Sequence, residues 1–216
     1  MVVDVVSDIV CPWCFIGKRR LERAGTLLGR AIDIRWHPFQ LNPGIPVAGI
    51  SRREYRTAKF GTWAYSQQLD ARVAETGRQV GIEFRHDRME RTPHSFRGHV
   101  LLAAALKEGL DTQNRVAERL FTGYFTNGED VGDTNVLLSI AREFGVYAVS
   151  AAEDLDDPAL SNHVRDEERL ARQDGVQGVP LITYKGRLVS AGAAPEDILA
   201  ARIRELESES GGEDAL

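Results

Sequence analysis

Hydrophobic and polar residues alternate with two different spacings, which predict strands near both ends of the chain and helices between them. Residues 2–6 are short, apolar and β-branched, which is typical of a buried strand. A helical pattern then begins at Cys11 and ends before Gly29. Residues 31–37 alternate as a strand does. The beginning of the chain therefore predicts a strand–helix–strand unit with a crossover long enough to join parallel strands.

The middle of the chain carries helical patterns almost throughout. A loop rich in Pro and Gly covers residues 38–49, and helical spacing follows from about 53 to 144, with the densest apolar positions at 100–106. A further helix with many exposed charges is predicted over 160–174. We interpret residues 46–159 as a helical insertion.

The carboxyl-terminal part returns to a strand pattern. Two short apolar stretches flank Lys185-Gly186, which is the signature of a β-hairpin with a two-residue turn. A final helix follows, and residues 208–216 are predicted to be a frayed polar tail. The order of elements predicts an α/β fold in which one discontinuous domain, formed by residues 1–45 and 160–207, is interrupted by the insertion.

Composition and charge are those of an ordinary globular protein. The chain has 216 residues, 43% of them hydrophobic, and a formal net charge of −5. This length is sufficient to bury a substantial core. No basic tract dominates and no run of apolar residues is long enough for a membrane span, so neither nucleic acid nor membrane is an expected partner. The amino terminus lacks the basic segment and apolar run of a signal peptide. Either the protein is cytoplasmic or the sequence is that of a mature form, and we favour the cytoplasmic location.

The chain contains two cysteines, Cys11 and Cys14, at the predicted junction between a strand and a helix. A Cys-x-x-Cys pair in this position is typical of a redox motif. Unpaired N–H groups and the helix dipole favour a thiolate on the first cysteine, and the second lies one turn away. We therefore predict that Cys11 is an exposed nucleophile that exchanges disulfides with a substrate, and that Cys14 is the buried resolving thiol.

Two other interpretations of the cysteine pair remain open at this point. A structural zinc site needs four ligands, and the sequence has no second cysteine pair to complete one, so we expect no metal. Free cysteines can also be inert, buried hydrophobic residues. The predicted helix amino terminus favours the reactive interpretation over both. A hydrolase triad built on Ser95 and His99 is disfavoured, because the sequence shows no acid partner for them.

Four segments of the chain carry a resemblance to a known family. They are Cys11-Pro12-Trp13-Cys14 with residues 15–18, and residues 36–43, 175–180 and 190–193. Together they resemble the FrnE-like branch of the DsbA family of thiol–disulfide oxidoreductases, and the resemblance extends over nearly the whole chain. It implies a thioredoxin-like fold with an inserted all-helical domain. It also implies a redox-active Cys11–Cys14 disulfide and no bound cofactor.

The resemblance further implies a substrate-binding surface beside the cysteines. Val179-Pro180 is identified as a cis-proline loop facing the pair, where the Val179 backbone would bind an extended substrate. Without the resemblance, a trans proline would be the expectation. Pro12 and Trp13 complete the predicted substrate-binding residues.

The residues within the motif favour some family functions over others. Strongly oxidising periplasmic DsbA proteins typically have Pro-His where this chain has Pro12-Trp13, and Trp13 cannot supply an imidazolium to the thiolate. The related 2-hydroxychromene-2-carboxylate isomerases and kappa-class glutathione transferases typically have serine at the position of Cys11. The pair therefore favours exchange with protein or small-molecule thiols and disulfides.

Two alternative functions stay open. One is a glutathione-dependent isomerase or transferase acting on an aromatic or polyketide-like metabolite, with glutathione as co-substrate and the helical insertion enclosing a small pocket. The other is a binding module without catalysis. A homodimer is a candidate assembly, formed through an apolar surface of the insertion. The sequence does not distinguish an oxidant from a reductant.

Overall fold

The computed structural model describes residues 1–213. The strands are β1 (Val2–Ser7), β2 (Asp33–Pro38), β3 (Ile50–Ser51), β4 (Arg91–Thr92), β5 (Leu181–Tyr184) and β6 (Arg187–Ala191). The helices are α1 (Pro12–Leu27), α2 (Arg52–Phe60), α3 (Trp63–Gln79), α4 (Phe96–Lys107), α5 (Leu110–Thr122), α6 (Thr134–Glu143), α7 (Pro158–Gln173) and α8 (Glu196–Glu213). Short helical turns lie at His86–Arg88, Gly123–Asn127 and Ala152–Asp156.

A four-stranded mixed sheet with the order β2-β1-β5-β6 forms the centre of the fold. Strand β1 runs parallel to β2, with Val5 opposite Trp36, and antiparallel to β5, with Val5 opposite Ile182. Strands β5 and β6 form a hairpin whose turn residues, Lys185 and Gly186, both have positive φ, at 51° and 73°. Positive φ at both positions is the geometry of the tight turns that join twisted strands. The α/β fold and the carboxyl-terminal hairpin predicted from the sequence are confirmed.

Helix α5 covers the outer edge of β2. The Gln113 amide accepts a hydrogen bond from the Trp36 backbone N–H and donates one to the Trp36 carbonyl, both at 3.0 Å. Next to it, Asn114 donates to the carbonyl of Ile34 and accepts from the indole Nε1 of Trp36, both at 2.9 Å. An edge strand needs partners for its backbone groups. Two side chains of the helical insertion supply them here.

We predict that Gln113→Leu lowers the free energy of unfolding by about 2–4 kcal/mol, because each buried backbone group left without a partner costs about 1–3 kcal/mol. A urea titration followed by circular dichroism measures this change. Gln79→Leu is a matched control, since the Gln79 side chain is exposed at the end of α3. Equal stability of the two variants would show that α5 does not secure the sheet edge through Gln113.

Aromatic rings join the helical insertion to the sheet unit. Phe15 of α1 stacks on Phe121 of α5 with ring centroids 5.3 Å apart, and the edge of Phe84 meets Phe15 at 6.0 Å. Trp36 packs against Phe121 at 5.7 Å with the rings inclined. One cluster of buried residues runs through both parts of the chain. The helices of the insertion thus share a core with the sheet, while the division of the chain into two domains stays a prediction.

Three details of the fold differ from the sequence-based prediction. Gly61, with φ of 88°, ends α2 and separates it from α3. Ile50–Ser51 pairs with Arg91–Thr92 as a second small sheet, and strands of two residues are too short to leave an alternating pattern. Helix α8 includes residues 208–213, so that part of the predicted polar tail is helical, because a polar composition is compatible with a helix as well as with a frayed segment. Residues 214–216 of the tail lie outside the described residues.

Candidate active site

The two cysteines lie at the amino-terminal end of α1, directly after β1. Cys11 has extended backbone angles, with φ of −94° and ψ of 114°. Pro12 occupies the first helical turn, where the backbone N–H has no partner within the helix and its absence in proline costs no hydrogen bond. The Cys11 N–H donates to the carbonyl of Asp8 at 3.0 Å, and the Cys14 N–H donates to the carbonyl of Cys11 at 3.1 Å. Both cysteines are free thiols. The local sequence therefore places both sulfur-bearing residues on the first turn of one helix.

The loop before β5 lies over Cys11. The Val179–Pro180 peptide bond is cis, and the Cys11 thiol donates to the carbonyl of Val179 at 3.5 Å. Pro180 packs against Gly17 so closely that a methyl group on Gly17 would lie 3.3 Å from the proline ring. Cys11 is only 3% exposed as a result, so the prediction of an exposed nucleophile is wrong. The N–H of Gly192 donates to the Pro180 carbonyl at 2.8 Å and holds the loop from its other side.

The Cys14 thiol lies in the protein interior, with none of the residue exposed. Burial raises the pKa of Cys14 well above its usual value, and the hydrogen bond and charge interaction with Cys11 raise it further. Cys14 is therefore protonated at neutral pH. A protonated, enclosed thiol is shielded from external reagents.

A buried carboxylate and a buried imidazole lie next to the cysteine pair. Asp8 is fully buried and accepts hydrogen bonds from the N–H groups of Leu41, at 2.7 Å, and Val10, at 3.3 Å. His99 of α4 is 2% exposed, and its Nε2 lies 3.5 Å from a carboxylate oxygen of Asp8. At that separation the two groups do not form an aligned hydrogen bond, and Nε2 has no hydrogen-bond partner within the described residues. Sequence reasoning missed this pair, because only the fold brings the two residues together.

A cavity of about 410 Å³ opens beside Pro12 and Trp13. Ligand pockets typically have volumes of about 300–1,000 Å³. Trp13 stands at the rim with 40% of its surface exposed, as expected for a residue that contacts substrate. Much of the remaining wall comes from α2, α3 and the turn at Gly123–Asn127, all within the helical insertion. The apolar and aromatic side chains that line the cavity are Val10, Leu41, Tyr55, Phe60, Leu69, Val73, Met89, Tyr124 and Phe125.

A network of charged side chains forms one wall of this cavity. Arg52 and Arg56 both pair with Asp70, at 2.7 and 2.8 Å. Burial lowers the pKa of Arg56. His86 lies 3.9 Å from Asp70, and burial lowers the pKa of His86 to about 4, so its imidazole is neutral at pH 7. Sequence reasoning did not single out these residues, because charges on helices usually belong to solvated faces.

The fold and the paired cysteines facing a cis-proline loop define a thioredoxin-like protein of the oxidoreductase class. A family model described as the DSBA-like thioredoxin domain matches residues 2–204, and the chain belongs to this family.

Three known proteins illustrate the similarity. The chain is 28% identical to the probable DsbA oxidoreductase SCO1869 of Streptomyces coelicolor, whose crystal structure superposes with a TM-score of 0.85 over 97% of this chain and 91% of that one. It is 25% identical to the uncharacterized protein YwbO of Bacillus subtilis, over 93% of this chain and 94% of that protein. The cytosolic disulfide reductase DsbM of Pseudomonas aeruginosa shares the fold, with a TM-score of 0.65, 21% identity, and coverage of 96% and 99%.

The described part of the chain has neither a metal-ligand cluster nor a membrane-spanning helix. Within residues 1–213, no three His, Cys, Asp or Glu side chains are grouped to hold a metal ion. No helix in the same range combines the length and apolar character needed to cross a bilayer.

Proposed function

We propose that the protein is a thiol–disulfide oxidoreductase in which Cys11 exchanges with the substrate and Cys14 resolves the intermediate. The observation that carries the proposal is the pairing of the two free thiols on the first turn of α1, with the Cys11 sulfur 3.5 Å from the Val179 carbonyl of the cis-proline loop. Membership of the DsbA-like family supports the reaction class. The substrates, the electron partner and the cytoplasmic location stay predictions, as does a homodimer.

The proposed reaction has two balanced steps, written here in the direction that reduces a substrate. The Cys11 thiolate attacks one sulfur of the substrate disulfide, which forms a mixed disulfide and releases the other sulfur as a thiolate that takes up a proton. Cys14 then loses its proton and attacks the Cys11 sulfur, which releases the second substrate thiol. The substrate gains two electrons and the protein acquires a Cys11–Cys14 disulfide. Oxidation of a substrate dithiol is the reverse sequence.

Several features of the chain support this assignment of roles. Cys11 is the N-cap residue of α1, so its side chain lies at the positive end of the helix dipole, beside the residue that begins the helix. The Val179 carbonyl, which accepts from the Cys11 thiol in the free protein, can instead accept from a substrate that lies along the loop. The high pKa of Cys14 keeps it protonated until the mixed disulfide has formed, which orders the two steps.

The redox equilibrium of the cysteine pair tests the proposal. We expect a single two-electron transition between the dithiol and an intramolecular disulfide across a series of glutathione redox buffers, measured by alkylation and intact mass. A midpoint near about −270 mV, as in thioredoxin, would indicate a reductant, and one near about −120 mV an oxidant. If the pair stays reduced, or only a stable glutathione adduct on Cys11 accumulates, the oxidoreductase is excluded and the glutathione-dependent isomerase or transferase becomes the leading alternative.

A further inference from the structure

The cavity adjoins both sequence neighbours of Cys11, although Cys11 itself is not among its lining residues. Val10 and Pro12, the residues on either side of Cys11, both line it. A molecule in the cavity therefore lies against the chain on both sides of the nucleophile. The opposite walls belong to α2 and α3, so the space is closed on that side by the helical insertion.

Positive charge predominates in the lining of this cavity. Four cations face it, Arg52, Arg56, Lys59 and Arg72, against the single carboxylate of Asp70. This excess occurs in a chain whose formal net charge is −5. It is therefore a local feature and does not follow from overall composition. A concentration of one charge in a concave, partly apolar site raises the local concentration of ligands of the opposite charge.

The pairing within the cavity leaves cations available to a ligand. Arg52 and Arg56 share one carboxylate, so the two guanidinium groups together carry one positive charge more than Asp70 compensates. Lys59 donates to neutral groups, the hydroxyl of Tyr55 at 2.7 Å and the amide oxygen of Asn42 at 3.3 Å. A carboxylate bound here would satisfy a charge that the protein alone leaves unpaired.

The rest of the cavity suits an apolar body and not a polar peptide backbone. Phe60, Val73, Met89 and Phe125 contribute hydrocarbon and aromatic surface to it. A volume of about 410 Å³ matches a small molecule. The chemistry of the walls thus specifies one or more carboxylates attached to an aromatic or aliphatic group.

We propose that the substrates of the Cys11–Cys14 pair are low-molecular-weight disulfides, or the corresponding thiols, that carry a carboxylate on an apolar or aromatic body. The carboxylate binds at Lys59 and the arginines while the sulfur meets Cys11. The proposal rests on the proposed thiol–disulfide exchange and adds the substrate class to it.

Single-turnover kinetics with disulfides of different charge test the substrate class. The reduced protein is mixed with an aromatic dicarboxylate disulfide, 5,5′-dithiobis(2-nitrobenzoate), with oxidised glutathione, with neutral 2-hydroxyethyl disulfide and with cationic cystamine. Each rate constant is divided by that of a free low-molecular-weight thiol with the same disulfide. We expect the normalised rate to be highest for the aromatic dicarboxylate and lowest for cystamine, with the difference shrinking in high salt.

Charge-removing variants show where the preference arises. Lys59→Gln and Arg72→Gln alter exposed side chains of the cavity rim. Each substitution should slow the reaction with the dicarboxylate by about three- to tenfold, where tenfold corresponds to about 1.4 kcal/mol. The rate of reaction with cystamine should stay the same or increase. Lys185→Gln, in the β5–β6 turn, is the matched control and should change neither rate.

The possible outcomes separate this inference from the proposed function. Exchange that proceeds with all four disulfides but shows no charge preference, or variants that affect all probes equally, would overturn the substrate class and leave the oxidoreductase intact. The substrate class would also be overturned if the normalised rate were highest for oxidised glutathione, because the aromatic group of the dicarboxylate would then contribute nothing to the reaction rate. Absence of exchange with every disulfide would overturn the proposed function and the inference with it.

Discussion

Replacing Cys11 with serine will abolish disulfide exchange, with a loss of at least about three orders of magnitude in rate. A serine hydroxyl is not ionised at neutral pH and cannot form a disulfide, so no mixed intermediate arises. Cys14 cannot take over the reaction, because it is fully buried and its pKa is raised well above the usual value. The rate of reduction of a small disulfide, followed by release of its thiol, measures the loss.

The matched variant, Cys14→Ser, should behave differently. It retains the nucleophile but lacks the resolving thiol, so the mixed disulfide between Cys11 and the substrate should accumulate and be visible by intact mass. Both serine variants should keep the far-ultraviolet circular dichroism of the parent protein. Undiminished turnover in Cys11→Ser would remove Cys11 from the mechanism, and the same reactivity in both variants would contradict the division of roles.

Replacing Asp70 with asparagine will lower the free energy of unfolding by about 3–5 kcal/mol, the cost of breaking a buried ion pair by removing one partner. Asp70 is the carboxylate shared by Arg52 and Arg56, at 2.7 and 2.8 Å. The Arg52 side chain is 4% exposed, so its charge cannot turn to solvent when the carboxylate is lost. A urea titration at neutral pH measures the change.

Helix α3 offers a matched control for this substitution. Glu75 pairs with Arg78 one turn away, but its side chain is 60% exposed. Glu75→Gln should therefore cost no more than about 0.5 kcal/mol, as is usual for a surface pair on a helix. If the two variants lost equal stability, the triad of Arg52, Asp70 and Arg56 would not be the buried network that the distances indicate.

The cysteine site could be predicted from the sequence because its determinants are local. A strand ends, Pro12 starts a helix, and two cysteines fall on its first turn, all within a short stretch of chain. The approach of Val179 to Cys11 has no such local signal, since the two residues are 168 positions apart. The resemblance to a family, and not any pattern of spacing, predicted that the loop faces the pair.

Other parts of the site could not be predicted, for physical reasons. Whether Cys11 is exposed depends on a loop packed over it, which the helix pattern does not record. The same holds for Asp8 and His99, whose contact exists only once α4 packs against the segment that follows β1. Charged residues on a helix look alike in sequence whether they face water or, like Arg52, are buried in the wall of a cavity. Burial is decided by tertiary packing, and periodicity alone cannot supply it.

The contact between Cys11 and Val179 also has a consequence for the order of events during protein synthesis. At about 5–20 residues per second, a ribosome needs roughly 8–34 seconds to translate the 168 positions between them. Both cysteines are therefore synthesised well before the loop that covers Cys11 and before β5, the strand that pairs with β1. During that interval the nascent chain presents two cysteines that the loop does not yet cover, so their thiols meet the redox conditions at the ribosome before the fold encloses them.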